Sequence, residues 1–594
     1  MYELADIHPT PQFARPRWHD LTGPWQFAFD PDDAGRDARW EREPASFDRT
    51  ITVPFPPESK ASGIDDPGPH RVVWYRREIA APALDRAAAE RLLLRFGAVD
   101  YRADVWINGQ HVAFHEGGQT PFFADITHAI EDESLTIVVR AEDDPVDISQ
   151  PRGKQDWQTP SHGIWYRRTT GIWQPVWLEI VGRHRIADVH WQPDAPARAL
   201  DAEITISPKP ATPLTLRVEL SLHGETLVDD RFTVGEASHD ARWNLSRPDD
   251  WEARRLLWSP EAPNLVEARL TLLDGETVLD EVFSYAGIRS IDVDRGGLVL
   301  NGFPRYMRSV LEQGFWPESH LAAPSADAIR REVELIQELG FNAARIHQKV
   351  EDPRFLSWCD RLGLMVWGEM ANTFTWSDAA VTRTTREWTD AVLRDRNHPA
   401  IVAWVPINES WGVPALQTDP RQRHWQESLW HLTHALDGSR PVISNDGWEH
   451  TTSDIVTIHD YTSSGEEIVR KYGAALEETL ERNRPARRIV QLDPEVNWGK
   501  PAMLTEYGGI SYAPRSGERW FGYGTVGSAD EYIAKVRELT DAVRACPDIS
   551  GYCYTQLTDT EQETNGLLTE SREPKLPMET LREIFGRNPD QRRS

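Results

Sequence analysis

Over the first 180 or so residues, apolar and polar positions alternate in short runs. "YRADVWI", Tyr101 to Ile107, is one run, and Asn108-Gly109 turns it back into "QHV". Period-two alternation puts every second side chain on one face, and Asn-Gly suits a two-residue hairpin turn. "SLTIVVRAED" and "QPVWLEIVG" repeat the form, and no long amphipathic helix interrupts them. Residues 1–182 are therefore expected to form an all-β sandwich. Residues 183–290 hold more short strands, among them "LDAEITISP", "LTLRVELSLHG" and "LVEARLTLLDG". About seven short strands in about a hundred residues suit an immunoglobulin-like sandwich.

After Ile291 the period changes. Strand-like runs ("RYMRSV", "FNAARIH", "LMVWGEM", "IVAWVPI", "RPVISND", "IVTIHDY", "AMLTEY", "GYCYTQL") now alternate with helical ones. In "SADAIRREVELIQELG", Ile329, Val333, Ile336 and Leu339 recur at helical spacing, with Ser325 placed to cap the start and Gly340 the end. Eight such strands with helices between them predict a (β/α)8 barrel over residues 291–594. A doubly wound open sheet would carry the same alternation.

A barrel displays its chemistry at the C-terminal ends of its strands. Read that way, the runs end in His347, Glu369, Asn408 and Glu409, Asn445 and Asp446, His459 to Tyr461, Glu506, and Gln556. Glu409 closes an apolar run, where a charge is costly unless something compensates. Two carboxylates, one after the fourth strand and one after the seventh, face each other across such a barrel. Glycoside hydrolysis asks for this pair: one acid protonates the leaving oxygen and the other attacks the anomeric carbon or activates water. Taken singly, each residue has a plainer reading. Glu369 could pair with an arginine, Asp446 and Asp460 likewise, and His347 and His459 could be satisfied core histidines.

Composition narrows the field. The net charge of -29 leaves no basic face for nucleic acid or an anionic membrane surface. No apolar segment approaches membrane-spanning length. Three scattered cysteines form neither a disulfide framework nor a zinc pattern, and "MYELADIHPTPQF" has no signal-peptide form. A cytoplasmic protein is expected. Twenty-five tryptophans are enough to fill cores and still line a sugar site, since indole stacks on sugar rings. "GYGTVG", Gly522 to Gly527, follows no strand run, so it reads as an active-site loop rather than a dinucleotide site.

With these blocks in hand, the chain resembles glycoside hydrolase family 2, the β-galactosidases, β-mannosidases and β-glucuronidases. "VWINGQHVAFHEGGQTPFFADIT" is similar to the family's sugar-binding jelly roll, and "AGIRSIDVDRGGLVLNGFPRYMRSV" to its sandwich-to-barrel junction. "HPAIVAWVPINESWG", "PAMLTEYGG" and "GYCYTQLTDTEQETNGLLTESREPK" are similar to its barrel blocks. The resemblance implies a retaining exo-glycosidase without a cofactor. Glu409 would be the acid/base, Glu506 the nucleophile, Asn408 a ligand of the sugar 2-hydroxyl, and Tyr461 a donor to the nucleophile. His347, His459, Asp156, Trp157, Glu369, Asn445 and Gln556 are the further candidates for substrate binding. Asp156 falls in a segment that in some β-galactosidases reaches the barrel site and binds Na⁺, with Asn565 near another ligand. A loop hydrogen bond is the simpler reading, and no metal is expected. The family's glucuronidases carry Asn-x-Lys for the sugar carboxylate. Here the stretch is Asn565-Gly566-Leu567, which points toward a β-galactoside, galactofuranoside or α-L-arabinoside. A β-mannosidase, a β-glucuronidase and a non-catalytic carbohydrate-binding protein are the alternatives. The glycoside is the expected partner, and the chain could be a monomer or a homo-oligomer.

Overall fold

The computed structural model describes residues 7–130, 133–245, 253–473, 476, 480, 481, 484–512 and 522–589. Its first part is two antiparallel sheets. Arg49–Val53, Gly23–Phe29, Val72–Ala80, Ser134–Glu142, Arg102–Ile107 and Gln110–Glu116 lie side by side in that order. They share a core with Trp18–Asp20, Val176–Val181, Arg91–Phe96 and Phe122–Asp125. Asn108 and Gly109 both take positive φ, as the hairpin between Ile107 and Gln110 requires. A second pair of sheets, with three and four strands, spans Arg185 to Ala286 around its own core. Buried Arg15 joins the two sandwiches, bonding Glu179 at 2.8 Å and Asp280 at 3.0 Å. Arg289 ties the second sandwich to the C-terminal domain through the carbonyls of Pro399 and Ile401.

That domain is a parallel barrel ringed by helices. Its strands are β1 (Met307–Glu312), β2 (Ala343–Ile346), β3 (Met365–Glu369), β4 (Ile401–Val405), β5 (Val456–His459), β6 (Ala502–Gly508) and β7 (Ile549–Thr555). They pair in the order β4-β3-β2-β1-β7-β6-β5. The first helix, α1 (Ala326–Glu338), buries Ile329, Val333 and Ile336. The Ser325 side chain caps it, accepting from Ala328 N, and Gly340 leaves it at φ +96°.

The expected fifth strand is different. Residues 441–447 fill the gap between β4 and β5 through single bridges, Trp404 with Val442 and Asn408 with Asp446. Side-chain oxygens take the donors that a ladder would use. Val442 N bonds Asp454, Ser444 N bonds Ser453, and Gly447 N bonds Thr457. Pro441 has no N–H to offer. The stave closes the barrel without being a regular strand, and no helix follows it before β5 among the described residues.

An arm of the first sandwich, residues 148–168, crosses the barrel mouth. At one end Phe374 N bonds Ile148 O, while Arg152 N and Gly153 N bond Asn372 O, all on the loop after β3. At the other end Arg167 N and Ser161 Oγ bond Glu561, and Gln562 bonds the carbonyls of Gly163 and Trp165, all after β7.

Candidate active site

Glu409 and Glu506 meet at the strand ends. A carboxylate oxygen of each and a ring nitrogen of His459 lie within 4.8 Å of one another. Glu409 stands on a tight elbow. It and Ser410 hold φ of 53° and 60°, a region non-glycine residues visit at a cost. The stave 441–447 pins them there. Glu409 N bonds Asp446 O, Ser410 N bonds Asn445 Oδ1, and Asn445 Nδ2 bonds Ser410 Oγ and Trp448 O. Glu409 Oε1 meets His459 Nδ1 at 2.8 Å. Its side chain is 17% exposed, so it opens to the mouth.

Glu506, on β6, is almost enclosed. Arg345 Nη1 bonds its Oε1 at 2.8 Å, and the Tyr461 hydroxyl donates to its Oε2. Burial pushes its carboxyl up, but His459 and Arg345 outweigh that and hold it at about 2. Glu506 is therefore an anion at neutral pH. His459 shows the converse. Burial lowers its pKa, yet Glu506 and Asp446 raise it to about 10, so it stands as an imidazolium between the two glutamates. Tyr461 stacks on Tyr523 of the "GYGTVG" loop at 3.4 Å between ring centres.

Arg345, in the middle of an apolar run on β2, is the hub. Besides Glu506 it bonds Glu369 at 2.8 Å and Asn408 Oδ1 at 2.7 Å, and it stands 2.8 Å from Asp446. The sequence holds a signal for it: a guanidinium inside "FNAARIH" must be paired or bear the full cost of desolvation.

Of the expected sugar ligands, Glu369, Asn445 and Asp156 are hydrogen-bonded into the framework. Glu369 is wholly enclosed, with one oxygen on Arg345 and the other on Gln348 N. Burial pushes its carboxyl up to about 7, against the pull of Arg345. Asn445 is committed to the Glu409 elbow. Asp156 turns both oxygens to its own loop, accepting from Gln158 N, His162 N and His162 Nδ1. Asp446 pairs with Arg345 and Thr505, and Asp460 with Lys471 and Tyr472. Gln556 is buried, its Oε1 accepting from Gln313. His347 is buried and kept neutral by burial and by Arg345, 3.2 Å from Glu369 without hydrogen-bond geometry.

Trp157 belongs to an aromatic cluster. Trp157 and Trp165 of the arm meet Phe374 after β3, and Trp165 and Phe374 meet Trp411, two residues past Glu409. All four are half-buried. By distance Glu409, His459 and Glu506 could also ligate a metal ion. The Arg345 guanidinium at Glu506 opposes a cation there.

Two β-sandwiches thus lead into a barrel with a pair of carboxylates at its strand ends. The chain belongs to glycosyl hydrolases family 2: residues 291–587 match its TIM barrel domain and residues 18–144 its sugar binding domain. It is 28% identical over 388 residues to a putative β-glucuronidase of Formosa agariphila, covering 62% of this chain and 44% of that protein. It is 26% identical over 523 residues to a β-galactosidase of Vibrio vulnificus, covering 82% and 44%. The chain thus spans less than half the length of these two relatives. A β-glucuronidase of an uncultured Clostridium species superposes with a TM-score of 0.76 at 19% identity, covering 96% of this chain and 97% of that one. Arg345 is the residue of this cluster that sequence reasoning missed.

Proposed function

We propose that the protein is a retaining exo-glycosidase acting by double displacement. The observation that carries this is the approach of Glu409 and Glu506 to within 4.8 Å, oxygen to oxygen. An inverting pair stands ~6.5–9.5 Å apart to admit a water, and a retaining pair ~5–5.5 Å. Glu506 attacks the anomeric carbon as the C–O bond to the leaving group breaks, and Glu409 gives that oxygen its proton. Water then gives a proton back to Glu409, attacks from the face the leaving group vacated, and displaces Glu506. Tyr461 and Arg345 hold Glu506 ionised and aimed. Arg345 also fixes the Asn408 amide, with its nitrogen left for the 2-hydroxyl. The aromatic cluster past Glu409 offers apolar faces to the leaving group.

For the sugar, the reading is a β-D-galactoside-type substrate, including galactofuranosides and α-L-arabinosides. Asn565-Gly566-Leu567 lacks the lysine of the family's glucuronidases, and buried Glu563 beside it would repel a carboxylate. One observation favours a uronide instead: the ammonium of Lys154 is buried and could meet a sugar carboxylate. Three buried, unpaired cysteines support a reducing compartment. Among the described residues no helix is long and apolar enough to cross a membrane.

The test is a set of 2-deoxy-2-fluoro glycosides with a good leaving group, followed by peptide mass analysis. A glycosyl label on Glu506 is expected. Turnover of nitrophenyl glycosides with the label on another residue would sink the assignment.

A further inference from the structure

Lys154 is an oddity among the cations of this protein. It lies on the arm, 6% exposed, and its ammonium makes no hydrogen bond or ion pair among the described residues. It faces a ring instead: Nζ stands 5.4 Å from the centre of Tyr166. Lys349, buried to a similar degree on the neighbouring loop, shows the usual solution, bonding Gly314 O and Glu351. An ammonium drawn this far from bulk water without protein acceptors is costly, and a ligand oxygen would answer it.

The far end of the same phenol carries a carboxylate. The Tyr166 hydroxyl donates to Glu563 Oε2, and Glu563 is 3% exposed. Burial raises the Glu563 carboxyl, and Lys154 is the largest influence against that. Lys154, over the Tyr166 ring, and Glu563, on its hydroxyl, are near enough to act on each other but not in contact. The charges of Lys154 and Glu506 each act on His347 and each act on Glu563. Around them lie buried polar atoms without partners: His347 Nδ1, Gln556 Nε2 and both amide atoms of Asn565. Asn565 stands beside the Glu563 carboxylate but off the hydrogen-bonding axis. Buried donors and acceptors left without protein partners suit a polyhydroxylated ligand.

Resting on the glycosidase reading, we propose that Lys154 and Glu563 together receive one hydroxyl of a neutral glycone, Lys154 donating to its oxygen and Glu563 accepting its hydrogen. A hydroxyl answers both charges at once, being donor and acceptor. A uronate carboxylate would answer Lys154 but face Glu563 with a like charge. The pair is therefore a specificity device, contributed half by the sandwich arm and half by the barrel.

The experiment is a cycle of substrates against variants. Wild type, Lys154→Met and Glu563→Gln are assayed on a nitrophenyl glycoside that wild type hydrolyses, on its monodeoxy analogues, each lacking one hydroxyl, and on the matching uronide. Wild type should lose about 10- to 100-fold in kcat/KM on one deoxy analogue. Lys154→Met should lose a similar factor on the parent sugar and nothing further on that analogue. Glu563→Gln should narrow the gap between the neutral glycoside and the uronide. The substrate series on wild type needs no variant to fold. The inference is overturned if every deoxy analogue affects wild type and Lys154→Met alike, or if wild type prefers the uronide. Hydrolysis of none of the glycosides would instead remove the glycosidase reading, and this inference with it.

Discussion

At the scale of single residues, Arg345 decides the charge state of the site. It is one cation set against Glu506, Asp446 and Glu369, all buried with it. Burial alone would neutralise some of these acids, and Glu369 shows the tendency at about 7. Arg345→Lys replaces a planar fork by a point charge that cannot reach all these partners. Arg345→Met leaves Glu369 without its cation, and Glu506 and Asp446 with His459 alone, and should cost about 3–5 kcal/mol of stability, read as a fall in denaturant midpoint. In the lysine variant the sign for activity is fixed. Glu506 is an anion in wild type because His459 and Arg345 favour the charged form. Weakening one of them raises its pKa, so the acid limb of kcat/KM should move to higher pH. An unchanged acid limb in a folded Arg345→Lys protein would show that Arg345 does not hold the nucleophile.

At the scale of elements, the strand ends were readable and the spacing between them was not. Strand periodicity placed Glu409 and Glu506 at the barrel mouth, and a single guanidinium in an apolar run marked β2. Nothing in the sequence distinguished Asn445, which braces the Glu409 elbow, from an amide that meets sugar. Both lie at the end of an apolar run. The difference is made by one turn, where Ser410 sits at φ 60° and needs Asn445 on its N–H. The run 440–446 also has the look of a strand, because hydrophobicity does not show that the N–H groups of Val442 and Ser444 are taken by Asp454 and Ser453. Asn445→Ala should release the elbow, since each strained residue costs about 1–3 kcal/mol to hold. A misplacement of about 1 Å at an acid/base costs on the order of a hundredfold in rate. That loss should fall on substrates with poor leaving groups, which need the proton from Glu409. Dinitrophenyl glycosides, which need it least, should be nearly spared. Equal losses on both would assign Asn445 to the sugar.

At the scale of the whole molecule, the site is not a property of the barrel alone. The arm from the first sandwich brings Lys154, Trp157 and Trp165 to it, and is fastened on one side to Asn372 and Phe374 and on the other to Glu561 and Gln562. This was the least legible part of the chain. An arm has no periodicity, and its meaning depends on contacts with residues hundreds of positions away. One glycine makes the fit. Gly153 sits at φ +59°, and a Cβ there would stand 2.1 Å from the Gln348 carbonyl oxygen, which is backbone and cannot swing aside. Gly163, on the same arm, has nearly the same φ of +58°, but a Cβ there meets only the Trp165 ring at 3.7 Å. The two positions therefore separate backbone strain from collision. Gly163→Ala should cost only the conformational penalty, about 1 kcal/mol, with activity near wild type. Gly153→Ala carries the same penalty and must also lift the arm from β2. It should lose at least tenfold more in kcat/KM than Gly163→Ala and open the arm to limited proteolysis, while the barrel core stays folded by circular dichroism. Equal behaviour of the two variants would mean that the sandwich merely adjoins the barrel and takes no part in building its pocket.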